Sequence, residues 1–137
     1  MKQIAIVVEN KKGVLESITS VLADADINIS GFLTNDGGEY GVIRMIVSDV
    51  DKAMEVLKAK GYTCSTRDVI GVESTDEVGS FNKLLKVLKD SNINIDYVYL
   101  TFGRQSGKPV FVFTADELDA VENCVANRGF TVVDQVM

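Results

Sequence analysis

The chain has 137 residues, 46% apolar and 25% charged, the balance of a globular protein rather than a disordered one. Fourteen basic residues against twenty acidic ones give a formal net charge of -6, which excludes a general nucleic-acid binder that needs a basic stripe to neutralise phosphates. Length permits one ordinary domain or two small ones. No apolar run is long enough to span a membrane, and Met1-Lys2-Gln3 precedes too few apolar residues for a signal-peptide core, so a cytoplasmic protein with no membrane partner is expected.

Ile4-Ala5-Ile6-Val7-Val8 is an unbroken, β-branched run that reads as a buried strand. After the polar break Glu9 to Lys12 the period changes. Val14, Leu15, Ile18, Val21, Leu22 and Ala25 fall on one face of a helix. The stretch between is a strand-to-helix turn pivoting on Gly13, which lets the backbone take a positive φ or approach a ligand closely. The free N–H groups of the helix's first turn favour an anion such as a carboxylate. A glycine that merely permits the turn explains the same residues.

Asp24-Ala25-Asp26 closes this helix, and Ile27, Ile29 and Leu33 alternate with polar or small residues in a strand. Asn35-Asp36-Gly37-Gly38 is a hairpin turn, and Tyr40 to Val47 returns as a strand. Ser48-Asp49 caps a second helix whose buried face is Val50, Ala53, Met54 and Leu57 and which ends at Lys58, Lys60 and Gly61. Tyr62 to Thr66 begins a last strand. The order β-α-β-β-α-β is the ferredoxin-like arrangement.

The pattern then repeats. Gly13 corresponds to Gly79, Val21-Leu22 to Val87-Leu88, and Ile27-Asn28-Ile29 to Ile93-Asn94-Ile95, all at an offset of 66. Gly61-Tyr62 answers Gly129-Phe130 at 68, the extra length falling in the hairpin Gly103 to Pro109. The fold class expected is therefore α+β: two ferredoxin-like repeats, residues 1–67 and 68–137, with antiparallel sheets and helices on one face. No proline or serine-rich linker separates them within Thr63 to Glu73. Alternation along Ile93, Ile95, Tyr97 and Tyr99 assigns these to the helix side and Val98, Leu100 and Phe102 to the other. Val110 to Phe113 is apolar on both faces, which calls for a cover, either the other copy or a second subunit.

Catalysis has little support. There is no histidine, the commonest general base and metal ligand. Cys64 and Cys124 lack paired spacing for a zinc site or a disulfide framework. Cys124 falls among the core positions of a helix; for Cys64, close in sequence to Arg67, a nucleophilic role would need a lowered thiol pKa. Asp116, Glu117 and Asp119 suit the dipole of a helix start. Acylphosphatases share the ferredoxin-like core, but they want an arginine in the first strand–helix loop, where this chain has Lys11 and Lys12. An RNA-recognition fold lacks the basic residues that should flank its aromatics. No catalytic residue, metal ligand or cofactor is expected.

Asn10-Lys11-Lys12-Gly13-Val14-Leu15, followed at helical distance by Ile27-Asn28-Ile29, resembles the opening half of an ACT domain, a small regulatory module that typically binds amino acids. Lys12 departs from the proline many members carry before the glycine, leaving the turn less rigid. The resemblance implies a free amino acid as ligand. Its carboxylate would meet the turn amides around Gly13, Val14 and Leu15, with Asn10 and Lys11 in the same loop. Its ammonium would meet Asn28-Ile29 or Asn94-Ile95 of an apposed domain. Gly79 and Ser80 are the second copy's counterpart, where Asp76 and Glu77 would repel a carboxylate and Phe81 would crowd the space that Leu15 leaves. The doubly apolar sheet favours a homodimer or a pseudo-dimer of the two copies, and with no catalytic domain in the sequence any control would act on a metabolic enzyme in trans or through oligomer state. The opposing expectation is a structural or protein-interaction module whose turns bind nothing.

Overall fold

The computed structural model describes residues 1–136, the side chain of Asp36 excepted. The chain divides into two compact units, Lys2–Arg67 and Met1 with the residues from Asp68 on. Among the described residues no helix is long and apolar enough to cross a membrane.

The first unit runs β1 (Lys2–Glu9), α1 (Val14–Asp24), β2 (Ile29–Asp36), β3 (Tyr40–Val47), α2 (Val50–Ala59) and β4 (Thr63–Asp68). Its sheet has the order β2-β3-β1-β4, which places the sequentially distant β1 and β3 at its centre. They pair antiparallel with Ile4 opposite Met45 and Ile6 opposite Ile43. Ile4, Ile6, Val8, Ile43, Met45 and Val47 thus share one face. Onto it α1 sets Ile18 and Leu22, and α2 sets Ala53 and Leu57, all buried. β1 is not buried on both faces, as its unbroken apolar run implied: Val7, on the face without helices, is 46% exposed. A β-bulge between Ile29 and Gly31 shifts the register of β2. Alternation is broken there, so Phe32 opposite Met45 takes the helix side and Leu33 opposite Arg44 the other face.

The second unit repeats the plan with β5 (Ile70–Glu73), α3 (Ser80–Asp90), β6 (Tyr97–Phe102), β7 (Pro109–Thr114), α4 (Leu118–Asn127) and β8 (Thr131–Val133), in the sheet order β6-β7-β5-β8. Its core is Ile70, Val72 and Phe113 under Leu84, Leu88, Val121 and Val125. The faces of β6 are the reverse of those expected. Val98 opposes Phe113 and packs into the helix-side core, whereas Tyr99 opposes Val112 on the other face. The cause is local: β6 starts only at Tyr97, so alternation does not carry across the irregular Asn94–Asp96 from Ile93 and Ile95, which do pack on the helix side. Val110 and Val112, on the helix-free face, are fully buried. Gly71 of that face lies under the Met1 side chain, with Val133 Cγ2 2.9 Å from where a Cβ would stand. Met1 is tied in by its nitrogen donating to the Val69 carbonyl at 3.0 Å and its carbonyl accepting from the Val69 N–H at 2.9 Å.

All four helices close alike. The N–H groups of Ile27, Tyr62, Ile93 and Phe130 reach back to Leu22, Leu57, Leu88 and Val125 at 2.9–3.1 Å, with Asp26, Gly61, Asn92 and Gly129 left-handed in between. The starts of α2 and α4 differ. Asp49 is extended and accepts from the Lys52 N–H at 3.0 Å, whereas its counterpart Glu117 is left-handed at φ 55° and makes no capping bond. A non-glycine residue is strained there, and asparagine tolerates both that conformation and the cap position. Glu117→Asn is expected to raise stability by about 0.5–1 kcal/mol, and Asp49→Ala to lower it by about 1 kcal/mol, in chemical denaturation.

Candidate functional site

The turn between β1 and α1 is built around Gly13, at φ 86° and ψ -3°. Left-handed geometry there is what turns the chain from strand into helix, and only glycine adopts it without strain. No atom lies within 4 Å of the place a Cβ would occupy, so the turn faces open space. The Gly13 carbonyl accepts from both the N–H and the Oγ of Ser17 at 3.0 Å, fixing the helix start. Leu15 and Glu16 follow in the first turn, where helical geometry supplies no acceptor for the amides.

Asn10 joins this turn to the β2–β3 hairpin. Its N–H donates to the Glu39 carbonyl at 2.8 Å and its Nδ2 to the Gly38 carbonyl at 3.0 Å. The side-chain donor expected for a ligand is thus engaged in positioning the hairpin against the turn. The hairpin forms the second wall of a cleft of about 370 Å³, where Thr34, Asn35 and Ile43 face Asn10, Gly13 and Leu15. Asn10 and Gly13 line an open space rather than a packed one. Sequence reasoning missed Thr34, Asn35 and Ile43; the signal available was the β1–β3 pairing, which carries the hairpin to Glu9.

Charge is present at the rim. Lys11 Nζ lies 2.7 Å from Glu9 Oε2. The ammonium hydrogen bond and charge hold the Glu9 carboxyl below its ordinary range, and the carboxylate in turn raises Lys11. Both are solvent-exposed, so water screens the pair. Glu16 also lines the cleft and accepts from Ser20 Oγ at 2.7 Å. Val14 is half-buried against the core, while Leu15 is 41% exposed and forms apolar lining.

Asn28 and Ile29 lie beyond the other end of α1, an eleven-residue helix roughly 16 Å long. Within the unit they are therefore remote from Gly13. The backbone of Asn28 exchanges two bonds with Ser48, both at 2.9 Å, and Ile29 packs on the core. Asn94 and Ile95 bear the same relation to Gly79 and border a separate shallow cleft of about 280 Å³ at the end of α3.

The β5–α3 turn has the same backbone, with Gly79 at φ 86° and ψ 0°. Ser80 follows, its Oγ 2.9 Å from Thr75 Oγ1. Its cleft is wider, about 610 Å³, and opens toward the α4–β8 turn at Gly129 and Phe130. Phe81 does not crowd it: the ring turns inward and stacks on Phe111 with centroids 4.5 Å apart.

No group of three or more His, Cys, Asp or Glu residues able to hold a metal ion occurs among the described residues. Cys64 packs against the first core, and burial pushes its thiol up, outweighing the opposing effect of Lys58. The shift is thus opposite to the lowered pKa a nucleophile would need, because desolvation disfavours the thiolate. In the folded chain at neutral pH, iodoacetamide is expected to alkylate Cys64 more slowly than in urea; an equal or faster rate would contradict this.

With this geometry in place, the family model of the ACT domain pair matches residues 1–136. The fold is similar to that of protein BT0572 from Bacteroides thetaiotaomicron at TM-score 0.88 and 30% identity, covering 96% of this chain and 90% of that one. It is also similar to the regulatory subunit of aspartate kinase from Thermus thermophilus, in its ligand-free form, at TM-score 0.68 and 14% identity, covering 92% and 90%. The regulatory subunit of aspartate kinase from Thermus flavus gives TM-score 0.60 and 16% identity over 90% and 92%; these two show likeness of fold. No curated protein matches. Two βαββαβ units, each turning into its first helix on a left-handed glycine, and a family match through both of them establish that this chain belongs to the ACT domain pair family.

Proposed function

We propose that this protein is a non-catalytic, cytoplasmic regulator that binds a free amino acid at the Gly13 turn. The observation that supports this reading is an open cleft of about 370 Å³ at the Gly13 turn, lined by both polar and apolar residues. The first-turn amides at Leu15 and Glu16 face an incoming carboxylate, and the Glu9 and Glu16 carboxylates at the rim suit an ammonium. Val8, Leu15 and Ile43 give a side chain an apolar wall, the usual composition of a small-molecule site.

The chain works as a homodimer in this reading. Phe32, Leu100 and Phe102 stand 56%, 49% and 54% exposed on the outer strands β2 and β6, where a second copy would cover them. A second copy would also bring an Asn28-Ile29 or Asn94-Ile95 segment to a turn that lacks one within its own unit. Occupancy then controls a metabolic enzyme in trans, through unequal affinity for two assembled states. The regulatory subunits of aspartate kinase that share the fold are named for such a task. The same exposed phenylalanines favour a second reading, an interaction module whose turns bind no ligand.

Thermal shift against the proteinogenic amino acids separates the two. A ligand at 100 times its dissociation constant adds about 2.7 kcal/mol, a shift of several degrees in units this small. Selective stabilisation by one or a few amino acids is expected, lost in Leu15→Trp, which fills the cleft, and kept in Val78→Trp on the exposed second turn. A flat screen on folded protein, or a response indifferent to Leu15→Trp, would leave the interaction module.

A further inference from the structure

The β2–β3 hairpin is stiff in itself. The Gly37 N–H donates to the Tyr40 carbonyl at 2.9 Å and closes the turn. A Cβ on Gly37 would stand 2.6 Å from that same carbonyl oxygen, and one on Gly41 would stand 2.8 Å from the Asn35 carbonyl oxygen. Both contacts are with backbone, which has no soft end to give way, so the hairpin keeps its shape when it moves.

Asn10 ties the tip of this body to the Gly13 turn. Its backbone N–H donates to the Glu39 carbonyl at 2.8 Å and its Nδ2 to the Gly38 carbonyl at 3.0 Å. The cleft lies between what these bonds join, with Gly13, Leu15 and Glu16 on one wall and Thr34, Asn35 and Ile43 on the other. Asn10 therefore sets the separation of the walls. Neutral hydrogen bonds on an exposed residue are individually modest, so the tie opens locally long before the sheet does.

The second unit lacks the device. Under the offset of 66 Asp76 stands in place of Asn10, and an ionised carboxylate has no proton to donate to a carbonyl. Its hairpin is held elsewhere: Ser106 Oγ donates to Glu73 Oε2 at 3.0 Å, on β5 rather than in the turn.

We propose that Asn10 is the positioning residue of the first cleft, holding the hairpin wall at the width a ligand requires, so that occupancy of the turn and closure of the hairpin strengthen each other. The proposal rests on the amino-acid reading of this cleft for its ligand, and not for the tie itself. Reciprocity makes the hairpin an output. A ligand that tightens the turn orders the tip at residues 38–40, where Tyr40 stands 56% exposed, and a partner that holds the closed tip raises affinity at the turn by the same factor.

The test is amide hydrogen exchange, followed by NMR, in the full chain and in Asn10→Ala and Asn10→Asp. Without ligand, both variants are expected to lose protection about three- to tenfold at the residue-10 amide. The Ser17 amide that bonds to Gly13 and the Gly37 amide that closes the hairpin should keep theirs, because turn and hairpin stay intact while the tie between them is released. An equimolar mixture of proteinogenic amino acids at millimolar concentration should then raise residue-10 protection in the unaltered chain, and shift Leu15 and Glu16 with several-fold weaker apparent affinity in the variants. Unchanged residue-10 protection in ligand-free Asn10→Ala, an equal loss at Ser17 or Gly37, or shifts at Leu15 and Glu16 as tight in the variants as in the unaltered chain would overturn the proposal. No shift at Leu15 and Glu16 in the unaltered chain would fail the amino-acid reading instead, and the ligand-free comparison then decides the tie.

Discussion

The structure depends on one backbone constraint used twice: the chain leaves a central strand and enters a helix through a left-handed glycine, at φ 86° in both Gly13 and Gly79. That conformation turns the chain from strand into helix at both places, immediately before α1 and α3. It also leaves the first-turn amides pointing outward beside the strand end. A side chain at either position would meet no steric obstacle and yet be strained, because the difficulty is torsional. The constraint that makes the fold thus also makes the opening.

What surrounds the two turns has diverged. In the first unit Asn10 ties the turn to the hairpin through Glu39 and Gly38, and the cleft forms on that side. The second unit has no asparagine at the equivalent place, and its cleft opens toward the α4–β8 turn, where Arg128 and Phe130 stand. Equal backbones thus carry unequal walls. In neither unit can the Ile-Asn-Ile segment reach its own turn, since a whole helix lies between them.

Much of this was legible in the sequence because the repeat doubles each weak signal. The element order, the capping by Asp49 and the glycine stops at Gly61 and Gly129 all follow from local pattern. The errors have equally local causes. The β-bulge after Ile29 and the irregular Asn94–Asp96 each break alternation, so the face of β2 changes midway and the faces of β6 are the reverse of those that alternation from Ile93 gives. Asn10 lies in the turn, but its hydrogen bond to Gly38 depends on a hairpin that is distant in sequence.

The central claim, that the Gly13 turn holds a free amino acid, is tested most directly by following the backbone amides of the full chain by NMR while an equimolar amino-acid mixture is added. Binding at this turn predicts saturable shifts of Leu15 and Glu16, together with Asn10 and the hairpin residues Thr34 and Asn35, and little change along α2. Shifts absent from Leu15 and Glu16 at millimolar ligand, or confined to other parts of the chain, would contradict it.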